Sequence, residues 1–450
     1  MRPLEPLPSD LPKVEGVARL PRGFEALGTR AGIKDSGAPD LAVVLVQDGP
    51  AAVAATFTTN RLPAAAVQMN KAHLAATAPE GHGRYGWVDA MMSTSGCANA
   101  ATGEAGLADQ RSLAATLATH AGTQPERVLA MSTGLIGTRL PLPRVAHALT
   151  AIGGTFRTDD GAFADVAEAL RTTDSRAKAA TVRLELPGLD GAPVTVTVSG
   201  VAKGVGMIHP NMATMLSFVL TDADAQPETL SRLLRPIVAR TWNQTSIDGD
   251  QSTNDTVLLA ASRATGAAPV EDDPQALAEL GRAVEAVARS LARQQAADGE
   301  GASTLITCAV SSARDDIDAR AVARAVVSSD LLKAAVHGAD PNWGRVAMAV
   351  GNAITASAET LEAAGLDSEQ ARSRAGQPVE LDPTALQIDI EGTTVFAGVP
   401  LDYDEAALSV RMKDGEVTIR VDLGLGTGTG EAFGCDLTEA YVIENSEYST

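Results

Sequence analysis

Aromatic side chains make up only 3% of this 450-residue sequence, and cysteine occurs three times. With so few rings, the core has to be built from small and branched aliphatics at close approach; alanine and glycine are correspondingly abundant. Cys97, Cys308 and Cys435 are far apart and form no CxxC pair, which argues against a zinc ribbon or a disulfide framework and fits a reducing compartment. Positive charge is also scarce. Lys plus Arg number 36 against 56 Asp plus Glu, a formal net charge of -20. Such a surface repels phosphate backbones and anionic bilayers, so neither nucleic acid nor membrane is an expected partner. No apolar run approaches the ~20 residues that span a bilayer. The opening stretch Met1–Val17 carries Pro, Glu and Asp where a secretory leader needs a basic start and an apolar run. A cytoplasmic protein is expected.

Other familiar chemistry is missing as well. The six histidines show neither HExxH nor other ligand spacing, so no metal is expected. No GxSxG elbow is present. The run 424–430 is rich in glycine, but Glu431 follows where a phosphate-binding loop needs Lys and Ser or Thr, so a flexible connector is expected there.

What is present reads as α/β. The length exceeds what one core usually supports, so two core-bearing halves are expected. Residues 1–20 read as a loose lead-in. Leu41–Val46, Ala51–Thr58 and Ala64–Met69 alternate with turn residues and read as strands. Leu107–His120 and Leu142–Ile152 have helical spacing, and 182–186 with 194–198 reads as a hairpin. Asp273-Pro274 supplies an N-cap and a first-turn proline for a helix whose stripe is Leu277, Leu280, Val284, Val287 and Leu291. Asp298-Gly299 closes it. A stripe this short predicts packing on a sheet rather than a coiled coil.

The segment with chemical content runs from Lys203 to Leu216, KGVGMIHPNMATML. Glycines and a proline make a tight loop that ends on a small residue and then Thr214, before an apolar, strand-like run. A threonine hydroxyl is a weak nucleophile unless a base lies beside it. The α-amine of the same residue is such a base once the preceding peptide bond is cut, and its unperturbed pKa of ~8 suits the work. Residue chemistry alone leaves the plainer possibility open, that Thr214 only begins a buried strand.

This segment is similar to the KGxGMIxPNMATML signature around the cleavage site of the ornithine acetyltransferase (glutamate N-acetyltransferase) family. Further stretches match in the family's order. They are 23–34, Ser95–Glu104, Ser132–Gly137, 246–256, Asp340–Arg345 and Asn445–Thr450, so the resemblance covers about residues 22 to 450. It implies an αββα sandwich and self-cleavage between Ala213 and Thr214, giving an α fragment 21–213 after the lead-in and a β fragment 214–450. It also implies ping-pong acetyl transfer from N-acetylornithine to glutamate through an acetyl-threonyl enzyme, in arginine biosynthesis, with no cofactor. A heterotetramer of two α and two β fragments is the implied assembly.

Carried over residue by residue, Thr133 and Gly134 match the oxyanion hole, where donors aimed at the developing charge act on the tetrahedral intermediate. Thr172, Thr173, Lys203, Thr214, Glu300, Asn445 and Thr450 match the substrate-binding set. Lys203 would meet an amino-acid carboxylate and Glu300 its amine. Without the resemblance, Ser132-Thr133-Gly134 reads as a strand end, Lys203 as a solvated loop lysine, Glu300 as an exposed turn and Asn445–Thr450 as a frayed tail. Three departures bear on specificity: Cys97 stands where the family usually has Asn, Val205 replaces a commoner Ser, and 424–430 is unusually glycine-rich. They leave room for a paralogue acting on other acylated amino acids in a specialised or antibiotic pathway. An N-terminal-threonine amidohydrolase or aminopeptidase and a non-catalytic binding relative are the remaining alternatives.

Overall fold

The computed structural model describes residues 10–209 and 215–447. The alternation of side chains along its strands shows how the layers stack, because successive residues of a strand face opposite sides. In Leu41–Val46, Ala42 and Val44 meet Val53, Phe218 and Leu258 in one apolar core. Leu41, Val43 and Leu45 face the other way, into a core with Met69, Leu113 and Leu117. In Leu216–Thr221 the pattern repeats: Phe218 and Leu220 enter the first core, while Val219 meets Leu234, Val284 and Leu291. Two sheets therefore lie face to face, each backed by helices, an αββα sandwich.

The outer of these sheets has four strands in the order Phe24–Thr29, Leu41–Val46, Ala90–Cys97, Val128–Leu135. Helices Ala65–Thr77, Gly103–Ala121 and Leu142–Ala151 cover it. The central sheet has six strands, ordered Tyr85–Val88, Ala51–Phe57, Thr256–Ala261, Leu216–Thr221, Pro193–Lys203, Lys178–Pro187. Helices Pro227–Arg240 and Pro274–Ala297 cover its far face. Close approach depends on small residues, as the composition predicts: a Cβ on Gly200 would lie 2.9 Å from both Leu291 Cδ1 and Val287 Cγ1. A third, six-stranded sheet built from residues 245–246 and 305–435 has its own core with helix Asp316–Val327. Two core-bearing parts are thus present, the second beginning near residue 300, and the expected cleavage junction at 213/214 falls within the first. The central sheet takes strands from both sides of that junction, with Lys203 opposite Leu216 and Thr256 beside it.

Helices 103–121, 142–151 and 274–297 stand where periodicity placed them, and Asp273 caps the last by accepting from the Gln275 amide at 2.8 Å. Three expectations are corrected. Ala64–Met69, read as a strand, opens helix Ala65–Thr77. A six-residue apolar run does not distinguish the two, and burial on the outer sheet selects the helix. The expected connector 424–430 turns into strand Gly428–Cys435. Its glycines permit contact with the neighbouring helix, since a Cβ on Gly430 would lie 2.7 Å from the Arg320 amide nitrogen. The lead-in is pinned over its second half, where Glu15 exchanges two backbone hydrogen bonds with Thr181. Among the described residues no helix is long and apolar enough to cross a membrane.

Candidate active site

Strand Pro193–Lys203 ends where Leu216–Thr221 begins, and this corner of the central sheet collects most of the singled-out residues. Lys203 is 3% exposed, and its Nζ donates to Thr133 Oγ1 at 3.3 Å. Burial pushes the Lys203 ammonium below the ordinary lysine range, opposed by Asp174 and reinforced by Lys178.

Thr133 and Gly134 end strand Val128–Leu135, which runs parallel to Ala90–Cys97 until a bulge at Gly96 and Cys97. Gly134 sits at φ +125°, and a Cβ there would lie 2.3 Å from the Gly96 carbonyl carbon. Only glycine fits this crossing. Cys97 is buried, with its Sγ donating to the Thr138 carbonyl at 3.3 Å.

A second group surrounds Glu300. Its carboxylate accepts from Thr173 Oγ1 at 2.6 Å and from Asn445 Nδ2 at 3.1 Å, and its amide donates to the Val205 carbonyl at 2.8 Å. Gly206 leaves room for that carboxylate, since a Cβ would lie 2.2 Å from Glu300 Oε2. The contribution of Thr172 is its amide, which donates to Asp174 Oδ2 at 3.1 Å. Ala213, Thr214 and Thr450 lie outside the described residues.

Between the two groups lies an ion triad that pattern reading did not single out. Lys178, fully buried, donates at 2.7 Å to both Asp174 and Asp298. Asp174 Oδ1 also accepts from the Gly204 amide at 2.9 Å. Burial would raise the Asp174 pKa, but Lys178, Lys203 and these hydrogen bonds outweigh it and hold the carboxyl down to about 2. The triad thus sets the position of Gly204, next to Lys203, and through Asp298 and Ser175 it holds the chain beside Thr173.

Asn254 and Asp255 do the corresponding work on the other side. Asn254 Nδ2 donates to the carbonyls of Ala98 and Ser132 at 2.7 and 2.8 Å. Asp255 Oδ1 accepts from the Met215 amide at 2.9 Å, and burial pushes its carboxyl well above the usual range. Two consecutive residues therefore tie the strand of Thr133 to the residue that follows Thr214. Lys34 adds a further cation, half-buried and lowered to about 8 by burial and by Lys203, against the pull of Asp40. Lys34, Asn254 and Asp255 lie inside the quoted motifs, whereas Asp174, Lys178 and Asp298 do not; their roles depend on partners from 4 to 156 residues away, which spacing does not reveal.

Chemically, the corner offers a buried ammonium beside a hydroxyl, a backbone crossing of two glycines, and a carboxylate held by two donors. Such a set can bind a zwitterionic amino acid and place donors at a developing negative charge.

Comparison with known proteins bears on this arrangement. The model of the ArgJ family matches residues 25–450. Curated relatives named "Arginine biosynthesis bifunctional protein ArgJ" include that of Thermus thermophilus, 42% identical over 433 residues, covering 96% of this chain and 99% of the relative. That of Deinococcus radiodurans is 42% identical over 446 residues, covering 99% of this chain and 100% of the relative. Among solved structures, the ArgJ protein of Bacillus halodurans is 35% identical, covering 52% of this chain and 99% of that one, at a TM-score of 0.45. The ornithine acetyltransferase of Mycobacterium tuberculosis, solved with ornithine, is 32% identical, covering 44% of this chain and 97% of that one, at a TM-score of 0.38. This chain belongs to the ArgJ family.

Proposed function

We propose that this chain is a glutamate N-acetyltransferase of arginine biosynthesis, working by a ping-pong exchange after cutting itself between Ala213 and Thr214. Family membership over nearly the whole chain supports the reaction class, and the Lys203–Thr133 contact is the observation that carries the assignment of the site. The free Thr214 amine takes the hydroxyl proton as Thr214 Oγ attacks the acetyl carbonyl of N-acetylornithine. Charge develops on the carbonyl oxygen, for which the Thr133 hydroxyl and the Gly134 amide are the donors in this reading. The proton passes to the departing ornithine amine, leaving an acetyl ester on Thr214. Glutamate then enters, its amine attacks the ester, and the Thr214 hydroxyl is restored. Lys203 takes the substrate carboxylate, while Glu300, with Thr173, Asn445 and Thr450, takes the far end of the amino acid.

The fragments would stay together after the cut, because ladders on both faces of the junction belong to one sheet. We assign the enzyme to the cytoplasm as an α2β2 assembly. The deciding experiment incubates purified protein with N-acetylornithine, with and without glutamate. Release of ornithine that requires glutamate, with matching N-acetylglutamate, is the expected result. Ornithine release of equal rate without glutamate would make the protein a hydrolase and overturn the reading.

A further inference from the structure

Helix Asp316–Val327 borders a cavity of about 420 Å³ that includes none of the residues of the site above. Its wall carries His209, Gln244, Arg320, Arg324, Asn352 and Thr355. Among the described residues that line it there is no Asp or Glu, in a chain with 56 of them against 36 Lys and Arg. Arg320 and Arg324 are four residues apart and so share one face of the helix.

The surroundings of Arg320 are informative. Among the described residues its guanidinium has neither an ion pair nor a hydrogen bond, although three carboxylates act on it from a distance. Each of the three is committed elsewhere. Asp315 pairs with Arg374, Glu285 pairs with Arg240 at 2.6 Å, and Asp316 accepts from the Thr429 amide at 2.9 Å. A partly buried cation without a partner is unfavourable, and its neighbours do not supply one. Gln244 adds a complementary feature: it is 7% exposed, and its Oε1 has no hydrogen-bond donor among the described residues. Burial lowers both guanidinium pKa values, that of Arg324 to about 10.

We propose that this cavity is a binding site for a small anionic metabolite, its phosphate or carboxylate held by Arg320 and Arg324 and its own hydroxyl or amino group donating to Gln244. A bidentate guanidinium suits either oxyanion. His209 is fixed at this wall: its Nδ1 lies 3.0 Å from Ser246 Oγ, and the preceding Ile208 amide donates to Asp248 at 2.8 Å.

Titration calorimetry of the purified protein tests this, with inorganic phosphate and succinate in separate arms and chloride at matched ionic strength as the control. Phosphate, succinate or both should bind wild type, and the arm that responds identifies the anion class. Arg320→Gln and Asn352→Asp should each weaken binding at least tenfold. The second variant keeps both arginines and places a resident carboxylate at the rim, so it serves should the first fail to fold. Weakening in either folded variant supports the site. No binding beyond chloride, or undiminished binding in both folded variants, overturns it. So does binding that Arg320→Gln leaves intact and Lys203→Met abolishes, which would put the anion at the catalytic corner.

Discussion

The Lys203 ammonium donates to the Thr133 hydroxyl across 3.3 Å, joining the end of a central-sheet strand to the end of an outer-sheet strand. Because Lys203 occupies a lone pair of Oγ1, the hydroxyl proton of Thr133 is turned away from it and free to serve an incoming oxygen. Thr133→Ala should slow acetyl transfer by ~10²–10³-fold if that proton serves the oxyanion. Thr133→Ser, which keeps the hydroxyl, should recover most of the rate. Equal rates for wild type and Thr133→Ala in a steady-state assay would limit the oxyanion donors to backbone.

Gly134→Ala is expected to act through the fold as well as the chemistry. The residue would be held at φ +125° with its Cβ 2.3 Å from the Gly96 carbonyl carbon. Left-handed strain alone costs about 1–3 kcal/mol, and the backbone must also move apart. Chemical denaturation should show a lower midpoint, and transfer should be lost in whatever protein remains folded. An unchanged midpoint with full activity would contradict the crossing.

Glu300→Ala should weaken turnover of both amino acids while leaving the cut at Ala213–Thr214 largely intact. Gly206→Ala provides a second approach, since its Cβ would displace the Glu300 carboxylate from 2.2 Å away without removing it. The two variants should share a raised KM. Wild-type KM values in both would remove Glu300 from substrate binding.

The buried triad predicts a pH effect with a definite sign. Asp174 is held at about 2 in the folded protein, below its ordinary value near 4, so it contributes stability above pH ~4 that is lost as pH falls towards 2. The contribution is on the order of 2 kcal/mol. Lys178→Met leaves two carboxylates buried together and should destabilise at neutral pH by about 3–5 kcal/mol. Its stability should then fall less steeply on acidification than that of wild type. Denaturant melts of both proteins between pH 7 and pH 3 provide the comparison.

Self-cleavage predicts fragments of 213 and, by 450 − 213, 237 residues, the second beginning Thr-Met-Leu-Ser. Thr214→Ala should run as one full-length band with no transferase activity. Wild-type protein that is active yet intact would sink the amine-as-base mechanism, because the Thr214 nitrogen would still be locked in its peptide bond.

Helices with a long stripe and a cap, such as Pro274–Ala297, were legible in the sequence because their signal is local: a period of 3.6 and an Asp-Pro start. That strands and helices mix in α/β layers was legible too, and the residues gathered at the Lys203 corner were singled out through the family resemblance rather than through spacing. Ala64–Met69 was not, because a short apolar run satisfies strand and helix alike until a neighbouring sheet selects one. Nor was the strand in 428–435, whose glycines signal flexibility in isolation and close packing against Asp315 and Arg320 in the fold. The sequence by itself determined which side chains are available and the order in which the strands occur. Only the tertiary structure decided that Lys178 bridges Asp174 and Asp298, and that Asn254 and Asp255 join Ser132 to Met215. Those links span from 4 to 122 positions, and burial makes them obligatory, since a charge or amide taken out of water must find its partner wherever the chain brings one.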